Sequence, residues 1–154
     1  MRARGYTMVE LVVVITLAAV LAAFGASRLL DDSLLRASRF ATDAAQRVAT
    51  AQRLAMAQRK SVYLVLSAAA GTLSLCLDAA CTQPLDASPL SQGVLTAPSG
   101  VAFTATASAV VFDARGRAGH VSPILVTLTR ADGSPLGRVL SIAPDSGHVQ
   151  ILSS

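Results

Sequence analysis

Hydrophobic and polar positions divide the chain into three stretches of different character. Residues 9–26 form an apolar run whose only polar members are Glu10 and Thr16. With Tyr6-Thr7-Met8 in front, the run is about 20 residues long. At about 1.5 Å per residue, a helix of that length crosses a hydrocarbon core of about 30 Å. Residues 28–60 contain no Gly or Pro and are rich in Ala, Leu, Arg and Gln, which are strong helix formers. Apolar residues recur there at Leu30, Leu34, Ala37, Ala41, Ala44, Ala45, Val48, Ala51 and Ala55, the spacing of one helix face. Arg39, Asp43, Arg47 and Arg53 fall on the opposite face and read as solvated. The pattern predicts that the first helix runs on as an amphipathic one, with its alanine stripe laid against a sheet.

After Lys60 the period changes. Residues 61–67 and 72–77 have strand character and flank Ala-Ala-Ala-Gly, which predicts a hairpin. Residues 78–100 are rich in Pro, Ser, Ala and Gly and read as a loop with room for one short element. Residues 101–106 and 109–113 are further strands, followed by Ala114-Arg115-Gly116-Arg117 as a turn. Residues 121–129 and 136–143 flank Ala131-Asp132-Gly133-Ser134, the clearest hairpin in the chain, and residues 147–152 make a last strand. Pro123 falls near a strand start, where a missing donor does least harm. The expected class is α+β, a long helix packed on an antiparallel sheet. The expected organisation is residues 1–5 as a leader, 6–27 as a membrane helix, 28–60 as its amphipathic half and 61–154 as a β-rich head.

Composition fits one span and one head. Hydrophobic residues make up 53% of the 154 and charged residues 14%, but the apolar excess is concentrated before residue 27. The formal charge is +4; without Arg2 and Arg4 the 13 basic residues become 11 against 9 acids, an ordinary balance. Cys76 and Cys81 are spaced C-x4-C, with no His pair or further Cys at a zinc spacing. In a head outside the cytoplasm a local disulfide is their natural state, and two buried thiols are the alternative.

Arg2 and Arg4 precede the apolar run, and positive charge there holds that end in the cytoplasm. A secretory signal peptide and a plain single-pass anchor share these features, but both leave Glu10 unexplained. A carboxylate near a membrane helix start is there for a partner. A chain newly begun at Tyr6 would supply an amine four residues before Glu10.

Gly5-Tyr6-Thr7-Met8-Val9-Glu10-Leu11 followed by Val-Val-Val-Ile resembles the class III prepilin signal of type IV pilins and type II secretion pseudopilins. The resemblance implies cleavage by prepilin peptidase between Gly5 and Tyr6, N-methylation of Tyr6, and a docking role for Glu10 in fibre assembly. Tyr6 stands where the family usually has Phe. The order of elements is similar to the GspH/FimT branch, notably Val111-Phe112-Asp113-Ala114-Arg115-Gly116-Arg117 and the final hairpin. The resemblance implies an inner-membrane subunit with its N-terminus cytoplasmic and its head periplasmic. Its partners would be prepilin peptidase, other pilin or pseudopilin subunits and the inner-membrane assembly platform, and it would need no cofactor.

Enzymatic chemistry finds no foothold in the sequence. His120 and His148 are the only histidines, no G-x-S-x-G is present, and Asp31 and Asp32, being adjacent, point to different sides of a helix. A DNA-binding minor pilin is the alternative. Some members of the branch bind DNA through Gly-Arg-x-Arg near the C-terminus. Here Gly147-His148-Val149-Gln150 replaces both arginines, and phosphate contacts need permanent charge. Arg115 and Arg117 remain as a weak basic patch, so nucleic acid is not the expected partner.

Overall fold

The computed structural model describes residues 7–29, 32–82, 84–85 and 94–153, with the side chains of 22–29 outside the description. Gly5 and Tyr6, and the helix junction at Leu30 and Asp31, lie outside the described residues. The chain divides into two units, Met1–Asp32 and Ser33–Ser154. The first contains helix α1, Met8–Leu29. Among the described residues no helix is long and apolar enough to cross a membrane.

The second unit is built on helix α2, Asp32–Gln58. Its buried face is Ala37, Phe40, Ala41, Ala44, Val48, Ala51 and Ala55, the i, i+3, i+4, i+7 stripe of an amphipathic helix. Thr42 and Thr50 satisfy their hydroxyls on the carbonyls of Ser38 and Gln46 one turn back. The helix stops where Arg59 turns left-handed (φ 52°) and the Lys60 N–H reaches back to the Ala55 carbonyl. Two expectations for this helix need correction. Leu34 is 45% exposed, because the buried stripe begins one turn later and turns through Phe40. Arg47 is half-buried rather than solvated, with its Nη1 lacking a hydrogen-bond partner, and burial lowers its pKa.

Among the described residues eight antiparallel strands follow, divided between two sheets. The first sheet has the order β3-β2-β1-β5, made of β1 Val62–Ser67, β2 Thr72–Cys76, β3 Val94–Thr96 and β5 Ala109–Phe112. The second has the order β4-β6-β7-β8, made of β4 Val101–Ala105, β6 Ile124–Arg130, β7 Pro135–Ile142 and β8 Val149–Ser153. β4 and β5 are neighbours in sequence yet belong to different sheets. The Thr106 N–H still bonds the Leu125 carbonyl of the second sheet, whereas the Ser108 carbonyl already accepts from Leu66 in the first. β6 begins only after Pro123, and Val121 is fully exposed. A bulge lies between Leu128 and Thr129 ahead of the β6–β7 turn, where Asp132 Oδ1 accepts from both the N–H and the hydroxyl of Ser134.

One hydrophobic core joins α2 to both sheets. Inward residues alternate along the strands: Val62, Leu64 and Leu66 in β1, Ile124, Val126 and Leu128 in β6, Leu136, Leu140 and Ile142 in β7. Phe40 of α2 stacks on Phe103 of β4 with ring centroids 6.0 Å apart. Where the chain turns into β8, Gly147 lies over the fully buried Phe112 with φ +65°, and a Cβ there would meet the ring at 2.5 Å. Gly133 has φ +87° but nothing within 4 Å of such a Cβ. Gly147→Ala should therefore lower unfolding free energy by about 2–4 kcal/mol, strain plus overpacking. Gly133→Ala should cost about 1–2 kcal/mol, the backbone term alone. Denaturant titration of the two variants checks the difference.

Candidate functional site

Two groups of residues outside the core have a defined geometry. The first is the start of α1. Thr7 precedes the helix and its Oγ1 accepts the Glu10 N–H at 3.2 Å, while the Leu11 N–H bonds the Thr7 carbonyl. Thr7-Met8-Val9-Glu10 thus has the spacing of a capping box, with a hydroxyl satisfying an otherwise orphaned helix donor. Beyond it, Thr16 Oγ1 donates to the carbonyls of Val12 and Val13, each at 2.9 Å, so its polarity is absorbed within the helix. Glu10 is then the only ionisable side chain described in α1, and it is exposed. Four successive residues around the helix, 11–14, are each between 49% and 60% exposed. Apolar surface on every side, rather than along a stripe, belongs to a helix surrounded by lipid or by other helices.

The second group joins the end of α2 to two loops of the head. Gln52 Nε2 donates to the Gly116 carbonyl at 2.7 Å and to the Ser146 carbonyl at 2.9 Å. Gly116 (φ +77°) lies against α2, where an added Cβ would come within 2.9 Å of Met56 Sδ. Asp113 organises the first loop: its Oδ1 accepts the N–H of Arg115 and of Arg117, each at 2.8 Å, and its Oδ2 pairs with Arg117 Nε at 3.3 Å. Ala118 bridges Asp145 of the second loop through two main-chain bonds, at 3.0 and 3.2 Å. Arg115 and Arg117 therefore lie in a turn built for shape, and Arg117 already has a carboxylate.

The remaining candidates are dispersed. His120 Nδ1 lies 2.9 Å from the Ser122 carbonyl, and His148 is on the exposed approach to β8. Cys76 and Cys81 are disulfide-bonded with Cα atoms 5.1 Å apart, closing a loop at the end of β2 where Asp78 Oδ2 caps Thr82. Between α2 and the β3–β4 turn lies an open groove of about 440 Å³, floored by Phe40 and Leu95 and flanked by Arg36, whose Nη1 donates to Ser99 Oγ at 3.0 Å. It brings no nucleophile to a base. Among the described residues no three His, Cys, Asp or Glu side chains are grouped to hold a metal ion. Neither Thr7 nor Gln52 is among the residues that the sequence singles out. The capping spacing at Thr7 was visible, but nothing near Gln52 announces contacts 64 and 94 residues away.

Residues 1–26 match the model of the prokaryotic N-terminal methylation motif. No curated protein sequence matches the chain. Among solved structures, the type IV minor pilin FimU of Pseudomonas aeruginosa aligns at 19% identity and a TM-score of 0.58, over 74% of this chain and 90% of that one. The minor pseudopilin EpsH from the Type 2 Secretion System of Vibrio cholerae aligns at 12% identity and a TM-score of 0.59, over 73% of this chain and 93% of that one. The fold is pilin-like. A methylation motif at the N-terminus and a pilin-like fold thus occur in one chain, as the sequence had led us to expect.

Two outcomes follow from this geometry. Thr7→Val should weaken the first turn of α1 by about 1 kcal/mol while Thr7→Ser leaves it intact, read as amide exchange at Glu10 and Leu11 in detergent micelles. The Asp113 carboxyl is held below the usual carboxylate range, first by the Arg117 N–H and then by the Arg115 N–H and the Arg117 side chain. A lowered folded-state pKa contributes stability that is present above the unfolded value near 3.9 and is lost as pH falls through the folded one. Denaturation midpoints should accordingly hold from neutral pH to about 5 and fall below about 4, with a shallower fall in Asp113→Asn, which keeps the acceptor oxygen and loses the charge.

Proposed function

We propose that this chain is a minor pilin or minor pseudopilin, a structural subunit rather than an enzyme. It is made as a prepilin, cut by prepilin peptidase between Gly5 and Tyr6, and methylated at Tyr6. It is held in the inner membrane by residues 6–27 with its head in the periplasm, and is then packed at or near the tip of a type IV pilus or type II secretion pseudopilus. The observation that carries this reading is the methylation motif over residues 1–26 in a chain whose fold resembles a minor pilin and a minor pseudopilin. The partners it needs are other pilin-like subunits and the inner-membrane assembly platform.

Glu10 has a physical task in this reading. Cleavage removes Arg2 and Arg4 and exposes an amine at Tyr6, and the Thr7 cap starts the helix so that Glu10 sits at its third position, on the first turn. A carboxylate among packed apolar helices is compensated by an ammonium from a neighbouring N-terminus. What supports this reading over DNA uptake is the turn at Arg115 and Arg117. Arg117 is tied to Asp113, and His148 and Gln150 stand where permanent charge would be wanted.

Expression in a host with prepilin peptidase separates the two roles. Gly5→Leu should leave the full-length precursor, seen by intact mass. Glu10→Val should be inserted and processed but fall at least tenfold in sheared fibres. Normal assembly of Glu10→Val would remove the charge-pairing account, and an uncut wild-type chain would remove the prepilin reading itself.

A further inference from the structure

β8 is the edge strand of the second sheet, and no described strand or bridge covers its outer side. Natural edges are blunted by charge, proline, bulges or a covering segment. The first sheet shows two of these solutions: β3 is three residues long, and β5 is covered where Ala118 bridges Phe112. β8 reads Val-Gln-Ile-Leu-Ser, with no charge, no proline and a continuous register from Ile142↔Val149 to Arg138↔Ser153. Its last four residues are exposed, with Ile151 on the core side at the rim and Leu152 on the other face, 41% and 47% exposed.

The ladder fixes which main-chain groups point outward. The Ala143 N–H donates to the His148 carbonyl at 2.8 Å, one step beyond Ile142↔Val149, so this pair is a hydrogen-bonded one. Alternation makes Ser141↔Gln150 and Val139↔Leu152 the next such pairs. The N–H and C=O of Val149, Ile151 and Ser153 therefore face away from β7, and no described residue meets them.

We propose that this edge pairs with β8 of a second copy of this chain, antiparallel, with Ile151 opposite Ile151 across a two-fold axis. Three outward residues spaced evenly about Ile151 make the strand self-complementary. Val149 meets Ser153 of the second copy, Ile151 meets its counterpart, and each outward donor finds an acceptor. A charged strand laid against itself would repel; this one carries no charge to oppose the contact. The two Ile151 side chains meet on the core side and extend the apolar rim begun by Val149. An isologous contact closes on itself and cannot propagate along a fibre. On the subunit reading given above, the pair is consequently a form held in the membrane before assembly.

Single cysteines test the register in the purified full-length protein in detergent, since both native cysteines are already bonded. Facing residues of a hydrogen-bonded antiparallel pair have Cα atoms about 5.5 Å apart, within disulfide reach. Under mild oxidation Ile151→Cys should form a covalent dimer. Val149→Cys or Ser153→Cys alone should not, whereas an equimolar mixture of those two should. Ile151→Lys should weaken the dimer at least tenfold in sedimentation equilibrium without changing the thermal unfolding of the head. A wild-type chain that stays monomeric up to 100-fold above working concentration would overturn the proposal, about two further decades of affinity being excluded. So would cross-linking that ignores position, which would point to association through the α1 helices instead. Either failure leaves cleavage at Gly5 untouched, so the prepilin reading is judged separately.

Discussion

The head depends on the small-residue face that α2 turns to its core. Its contact face is made mostly of methyl groups, Ala37, Ala41, Ala44, Ala51 and Ala55, all essentially buried, with Val48 and Phe40 as the larger exceptions. A face of such low relief sets the helix near the sheets, and interiors packed at crystal-like density transmit any extra atom as strain. Tight contacts surround that face as well. Gln52 is short, yet it spans to two separate loops, and Gly116 and Gly147 occur where a side chain would strike Met56 and Phe112. Helix, loops and β8 are therefore fitted to one another, and the two glycines are consequences of that fit.

Most of the fold is legible in the chain because two periodicities are clean. The alanine spacing finds α2, and alternation with Gly, Ser and Asp turns finds seven of the strands to within two or three residues. What escapes is long-range. β4 and β5 look alike as neighbouring strands, and only the switch of hydrogen bonding across residues 106–108 sends them to different sheets. Leu34 fits the spacing but precedes the point where the helix meets its sheets, and Phe40, which stacks on Phe103, interrupts an alanine series that alone looked sufficient. Around the N-terminus the position of Glu10 in the apolar run is plain from the sequence, and the capping spacing at Thr7 can be read there too, although only the bond establishes the cap.

The two units solve opposite problems. In α1 apolar residues face every direction and the single carboxylate stands out, a surface that is incomplete until something surrounds it. In the head the strands turn one apolar face to the core and the turns close themselves with local hydrogen bonds, as at Asp113 and Asp132. On the function proposed here, packing into the fibre belongs to the helix and shape to the head, and neither task calls for a catalytic constellation.

The Gln52 clamp also has a bearing on synthesis. One of its acceptors is the Ser146 carbonyl, 94 residues further along. α2 emerges from the ribosome well before the loop that fastens it and the β8 strand beyond. Until then the alanine face lies open, a hydrophobic surface of the kind that invites capture or misassembly during translation. A chain truncated shortly before residue 146 would still possess α2 and strands β1 to β7, yet would keep only the Gly116 half of the clamp. The fit of α2 to its loops is thus completed by a segment made long after the helix itself.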